Sequence, residues 1–443
     1  MLGCYGKNEY ICMSINIWWF LFVKWCCSDS EQGQNKVKYT MRKVVLLLFL
    51  AVTSLCMAQK KELSQAKANV KADNNLAQAE QSMRKLLEDS DNVREAKIWL
   101  TMFDAIKKQY DQGNEKLYLK QQYDTAALFN IARRLFVDME RFDSIDAMPD
   151  KKGRVRPEYR KKHAEMLNTL RPNLYNGAFY FIGKGKYDEA YNCLDTYINC
   201  GNAPLFTGRN YAEKDTLMPK AAFWAVYCGY KMKDPVKTLH HTYLALKKEK
   251  YWEPMLQYLS ATYLLEGDTT RYLKSLHEGF ERFKQNSYFY TQLVAYYSGK
   301  GRWDKALDIN NAALKANPAD SLLSAAKSTI LLNLSRYDEC LALCDSIIAR
   351  GDSTAEVMLN AGLACFNKAV EISVQGKPAN RNKQKQEQQR LYKQALPYLE
   401  KARKALPALK DKWGLPLYTI YLNLNMGEEF EEIDRIIKNV GGK

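Results

Sequence analysis

A tetrapeptide built as aromatic, Asp, any residue, small residue recurs along this chain of 443 residues. It stands at Tyr123-Asp124-Thr125-Ala126, Tyr187-Asp188-Glu189-Ala190, Trp303-Asp304-Lys305-Ala306 and Tyr337-Asp338-Glu339-Cys340, with a looser copy at Tyr392-Lys393-Gln394-Ala395. The last two full copies are 34 residues apart. A period of that size marks a helix-turn-helix unit that cannot bury its apolar face alone and must stack on its neighbours. The expected fold is all-α, a solenoid of stacked antiparallel helix pairs, and the expected function is binding rather than chemistry.

Ser287 to Asp320 shows the physical logic of one unit. Tyr290, Leu293, Val294 and Tyr297, spaced by three and four, make one stripe of a first helix. Gly299 and Gly301 break it. Trp303, Ala306, Asn310 and Ala313 form the facing stripe of a second helix, which Asn317-Pro318 stops, because Pro cannot continue a helix and disfavours helical geometry before it. Ala306 is small where two helices cross closely.

Tyr290, Leu293, Tyr297, Gly301, Trp303, Ala306, Ala313 and Pro318 together resemble the tetratricopeptide repeat. Val294 and Asn310 depart from its pattern. A shift of 34 gives Leu331, Tyr337, Cys340, Cys344 and Ile347, without the Gly or the Pro. The frame continues more weakly backwards through Leu264, Leu273, His277 and Phe280, then Tyr227, Thr238 and Ala245. It is clear again in Gly177, Ala178, Phe181, Gly185, Tyr187, Ala190, Leu194 and Tyr197. Forwards, Met358, Ala361, Gly362 and Cys365 open a unit whose second helix arrives late, at Tyr392, Ala395, Leu399, Ala402 and Pro407. A final pair, near 416–426 and 428–439, closes the array. The expected organisation is a capping helix region at 59–92 and an uninterrupted repeat array at 93–440, with a basic insertion at 377–391.

Met41-Arg42-Lys43, the apolar run Val44 to Val52 and the small-residue site Cys56-Met57-Ala58 read as a signal peptide at 41–58, with the mature chain starting at Gln59. The run is too short for a permanent membrane span. Residues 1–40 have no repeat character and read as an upstream extension outside the natural product; the alternative is an anchor built from Ile11 to Val23. A signal peptide ahead of irregular repeats resembles the exported tetratricopeptide proteins of Gram-negative envelopes, which implies a periplasmic or envelope location.

Of eleven cysteines, Cys193, Cys200, Cys228, Cys340, Cys344 and Cys365 lie beyond residue 58. An even number in an exported chain invites disulfides, with Cys344 to Cys365 the foremost pair. Cys340, Cys344 and Cys365 fall on core positions of the repeat, however, where Cys serves as a small hydrophobe. The formal charge is +16, and residues 1–58 hold six basic and three acidic residues, so +13 remains beyond them. That excess suits an anionic envelope surface or an acidic partner, and the expected location leaves nucleic acid out. Arg154, Arg156, Arg160 and Lys161 form a candidate docking patch, with Arg381, Lys383, Lys385 and Arg390 in the insertion as a second. The alternative for both is a solvated connection.

Nothing in the sequence assembles a catalytic site. His163, His240, His241 and His277 lack metal-ligand spacing, and adjacent residues such as His240 and His241 point about 100° apart on a helix. Gly183-Lys184-Gly185 lacks the Ser or Thr and the spacing of a phosphate loop. No cofactor and no metal are expected. The tetratricopeptide resemblance implies a groove lined by first helices, whose non-core positions hold Tyr175, Phe179, Phe223, Tyr227, Tyr230, Tyr258 and Tyr288. Such aromatics suit a protein or peptide partner, or alternatively an envelope glycan. Packing between neighbouring repeats is the competing role.

Overall fold

The computed structural model describes residues 59–438 apart from 151, 353 and 376–380. The signal peptide, residues 1–40 and part of the 377–391 insertion lie outside the described residues. Among the described residues all regular structure is helical, the expected all-α stack of helix pairs. The chain divides into two compact units, Met1–Asp215 and Thr216–Lys443, where the sequence reads as one array.

The first unit contains α1 (59–71), α2 (Leu76–Leu86), α3 (Ala96–Tyr118), α4 (Thr125–Asp146), α5 (Arg160–Gly183), α6 (Tyr187–Asn199) and the short α7 (Tyr211–Lys214). In the second unit, α8 (Met218–Met232) is followed by two fragments, α9 (Pro235–His240) and α10 (Thr242–Ala245). The helix pairs α11 (Trp252–Leu265) with α12 (Thr269–Arg282), α13 (Ser287–Gly299) with α14 (Trp303–Ala316), and α15 (Ser321–Asn333) with α16 (Tyr337–Ala349) come next. Two further pairs complete it: α17 (Ala355–Gln375) with α18 (Arg381–Ala405), and α19 (Lys410–Asn423) with α20 (Gly427–Lys438).

The period of 34 is sharper in backbone conformation than in residue type. Lys233, Gly267, Gly301 and Ser335, each 34 after the last, all adopt the left-handed region, with φ of 55°, 75°, 69° and 57°. At each, this residue and the next donate their N–H groups back into the ending helix, as Gly301 does to the Ser298 carbonyl (2.9 Å) and Arg302 to that of Tyr297 (2.8 Å). These bonds satisfy helix-end carbonyls and reverse the chain. Glycine takes this conformation freely; Lys233 and Ser335 hold it at a cost of about 1 kcal/mol. The second helix then starts at Pro235, Thr269, Trp303 or Tyr337.

This frame explains the tetrapeptide. In three copies the aromatic is the first residue of the second helix, and Asp188, Asp304 or Asp338 sits in its first turn, where a carboxylate meets the positive helix end. The small residue, Ala190, Ala306 or Cys340, is fully buried. The other two copies are different objects. Asp124 is the N-cap of α4, accepting from the Ala126 N–H at 2.9 Å, and Tyr392 lies inside α18.

In the backward frame Thr238, Ala245 and Phe280 are buried as expected, but the unit holding Leu264, Leu273 and His277 needs correction by one residue. Leu264 is 56% exposed and Leu273 only half-buried, whereas Leu256, Tyr272, Leu276 and Gly279 are core. Gly279 takes the place of Ala313, and a Cβ there would stand 2.2 Å from the buried Phe289 ring. The glycine hid the register because it contributes nothing to a hydrophobic stripe. The late second helix has a simple origin too. α17 and α18 run for 21 and 25 residues against 13 in α15 and α16, so the pair is extended, and the basic insertion is helix from Arg381 onward.

Asn310, a departure from the repeat pattern, is fully buried and bridges three helices. It accepts from the Tyr290 hydroxyl (2.9 Å) on α13 and donates to the Leu323 carbonyl (3.2 Å) on α15. The six described cysteines are buried free thiols, so the Cys344 to Cys365 bridge does not form. Burial pushes the Cys228 and Cys365 thiols up to about 12, leaving them protonated and inert at neutral pH.

Candidate partner-binding face

The first helices of the second unit place the expected aromatics on one face. Phe223, Tyr227 and Tyr230 on α8 meet Tyr258 on α11, and all four are half-buried. Tyr230 stacks on Tyr258 with ring centroids 4.6 Å apart, and Tyr227 lies 5.9 Å from it. Phe223 stacks on Tyr251 at 4.5 Å. Tyr288 on α13 joins through its hydroxyl, 3.1 Å from the Ser260 hydroxyl. Burial raises the Tyr258 and Tyr288 phenols, so both stay neutral donors.

Packing, the competing role, accounts for part of each of these side chains. Tyr230 and Phe223 each spend a ring face, on Tyr258 and Tyr251, and so pack α8 against the start and middle of α11, while all of these side chains stay half-buried. Beside Tyr230 the two helix ends leave a cleft of about 380 Å³, lined by Tyr230, Lys231, Lys233, Ala261, Thr262 and Leu265. Thr262 is turned inward, its hydroxyl donating to the Tyr258 carbonyl at 2.7 Å. Leu265 is 57% exposed. Sequence reasoning missed Leu265 and the two lysines. The signal was there in Leu264-Leu265, an apolar pair in the last turn of a helix just before the left-handed Gly267.

Tyr175 and Phe179 belong to the first unit and are described with it. Tyr175 packs on Phe179 (4.9 Å) and on Tyr197 (5.6 Å). Tyr197 in turn covers the guanidinium of Arg171 at 3.8 Å, and Tyr211 covers it at 4.0 Å. Tyr175 is thus half-buried against the cluster that fastens the segment after α6.

The first basic patch is partly consumed. Arg160 makes two 2.8 Å hydrogen bonds to buried Asp143, and the Arg154 Nε donates to Asp150 at 2.9 Å. Arg156 and Lys161 remain exposed. His163 and His277 are framework residues. His163 is buried among Phe103, Phe142 and Tyr159, and burial lowers its pKa. The His277 Nε2 lies 2.9 Å from the Tyr297 hydroxyl. The 100° separation expected for His240 and His241 fails, because the helix breaks at His241 and the rings stack at 4.2 Å.

Comparison with known proteins agrees with this geometry. A family described as tetratricopeptide repeat matches residues 224–368, the stretch that holds the four left-handed landmarks. No curated protein matches. Among solved structures, a tetratricopeptide-repeat protein from Bacteroides fragilis is 16% identical, with 60% of this chain and 98% of that one covered and a TM-score of 0.30. The TPR2AB domain of yeast Sti1, in complex with pHSP90, is 17% identical (70% and 96% covered, TM-score 0.24). The P58(IPK) TPR domain is 14% identical (87% and 100% covered, TM-score 0.25). Scores of this size assign neither site nor partner. The sequence match and the repeated backbone geometry coincide on residues 224–368, the stretch in which this chain is similar to tetratricopeptide repeats.

Proposed function

We propose that the protein is a non-catalytic scaffold that holds a protein or peptide partner against the first-helix face of residues 218–299. The observation that carries this reading is the cleft beside Tyr230, where an aromatic edge, exposed Leu265 and the Lys231 and Lys233 side chains converge on open surface. Aromatic and aliphatic anchors flanked by polar groups are what a side chain of a bound peptide needs. A glycan is less well served, since a sugar stacks on open ring faces and Tyr230 and Phe223 are each stacked on a neighbouring ring. Export to the envelope is part of the same proposal, supported by the residue pattern of 41–58. An intact mass of the natural product beginning at Gln59 fits it, and retention of residues 1–58 overturns it.

The binding reading is tested by panning a displayed random-peptide library against the whole chain and against a Tyr230→Ala, Leu265→Ala double variant. Peptides enriched on the parent are expected to lose at least about tenfold in affinity on the variant, the loss of one anchor of about 1.4 kcal/mol or more, at a temperature where circular dichroism shows both proteins fully folded, since losing the Tyr230 stack on Tyr258 also lowers the melting temperature. No enrichment, or equal retention by both proteins, refutes the assignment.

A further inference from the structure

Helix α18 concentrates charge more than any composition average suggests. Its 25 residues carry eight cations, Arg381, Lys383, Lys385, Arg390, Lys393, Lys401, Arg403 and Lys404, against two carboxylates, Glu387 and Glu400. Both carboxylates are engaged, Glu387 with Arg390 at 2.6 Å and Glu400 with the Tyr421 hydroxyl at 3.2 Å.

The packing of α18 sorts these charges. Leu391, Tyr392, Ala395, Leu399 and Ala402 are buried and anchor one side of the helix. At about 100° per residue, Lys383, Arg390, Lys393, Lys401 and Lys404 fall within an arc of about 80° centred opposite that buried stripe. All five are exposed. Arg403 lies outside the arc and pairs with Glu432. Among the described residues no carboxylate comes within ion-pair distance of Lys383, Lys393, Lys401 or Lys404. From Lys383 to Lys404 the row runs about 32 Å along the helix, and Gln386, Gln394 and Pro397 separate its members.

We infer that the outer face of α18 is a docking surface for an anionic lipid bilayer, a function separate from the partner face on α8 and α11. The five cations bring no apolar anchor of the kind a specific protein partner uses, and only at the end of the row does Lys404 border a cleft of about 570 Å³, with Trp413, Glu429 and Glu432. The row offers compact, strongly hydrated ammonium groups on flexible stems, which suit lipid headgroups that can diffuse to meet them. Adsorption of this kind is electrostatic, needs no insertion and weakens with salt. No described helix is long and apolar enough to cross a membrane.

Co-sedimentation of the whole chain with phosphatidylcholine vesicles, with and without phosphatidylglycerol, tests the assignment. Binding is expected only to the anionic vesicles and is expected to fall steeply between about 50 and about 300 mM salt. A Lys393→Glu, Lys401→Glu, Lys404→Glu variant is expected to lose about a hundredfold, at about fivefold for each cation. The matched control, Lys60→Glu, Lys61→Glu, Lys67→Glu, reverses three exposed cations of the other unit and is expected to bind within a few-fold of the parent. Failure of the parent to bind anionic vesicles overturns the proposal, as does equal loss in control and variant. Tighter binding of the chain to polyglutamate than to the anionic vesicles, lost in the same triple variant, would reassign the face to an acidic polymer.

Discussion

Replacing Arg171 by Leu is expected to destabilise the first unit by about 3–5 kcal/mol, the usual loss when one partner of a buried ion pair is removed. Arg171 is 6% exposed. Its Nη1 donates to the Asp215 carboxylate at 2.6 Å and its Nη2 to the Tyr197 carbonyl at 3.0 Å. The guanidinium plane lies between the rings of Tyr197 and Tyr211. Asp215 also accepts from the Tyr197 hydroxyl at 2.6 Å, and burial together with that bond pushes the Tyr197 phenol up. The cluster fastens the segment that follows α6 to the α5–α6 hairpin. Leucine fills part of the volume but strands the carboxylate and a carbonyl. Lysine keeps the charge yet loses the fork and the stacking, so Arg171→Lys is expected to recover less than half of the loss. Denaturant unfolding read in the parent and both variants checks this, and a Leu variant within about 1 kcal/mol of the parent would refute it.

The second large effect is a reversal of sign between two identical substitutions. Gly229→Ala in α8 is expected to cost about 2 kcal/mol or more, while Gly299→Ala in α13 is expected to be neutral or to stabilise by up to about 1 kcal/mol. A Cβ on Gly229 would stand 2.4 Å from the Thr238 backbone nitrogen and 2.7 Å from the Lys237 carbonyl carbon. Backbone cannot swing aside as a side chain can, so α8 and α9 would have to separate. The gain of about 1 kcal/mol in helix propensity does not offset that separation. Gly299, by contrast, has no neighbour within 4 Å of an added Cβ, and only the unfolded-state entropy term remains. Melting temperatures of the two variants measured side by side decide the matter. Equal shifts of the same sign would mean that the close approach of α8 and α9 does not constrain the fold.

Much of this architecture could be read from the sequence because its determinants are local. The stripe Tyr290, Leu293, Val294, Tyr297, the break at Gly299 to Gly301 and the stop at Asn317-Pro318 lie within one helix hairpin, and the structure places α13 and α14 where they predict. The small residues Ala190, Ala306 and Cys340 announced close crossings for the same reason. The repeats between 217 and 284 blurred because their landmarks are conformations rather than residues: a left-handed lysine at 233, a core glycine at 279, a helix broken at His241. Asn310 reads as a departure from the pattern and Arg171 gives no signal in the sequence, since their partners stand 13 to 44 residues away and only folding brings them together.

The candidate face was half legible. Helical spacing put Phe223, Tyr227 and Tyr230 on a common side, but periodicity within one helix cannot tell whether a neighbouring helix covers it. The sequence by itself determined the repeat, its period and its all-helical class, because those follow from apolar spacing and turn chemistry within single hairpins. Only the tertiary structure decided that Tyr230 and Phe223 stack on neighbouring rings, that Arg160 and Arg171 serve the framework, and that five cations of α18 stand together on one exposed side. Each of those depends on which groups from distant parts of the chain meet, and burial of one group against another is a property of the packed fold rather than of any segment alone.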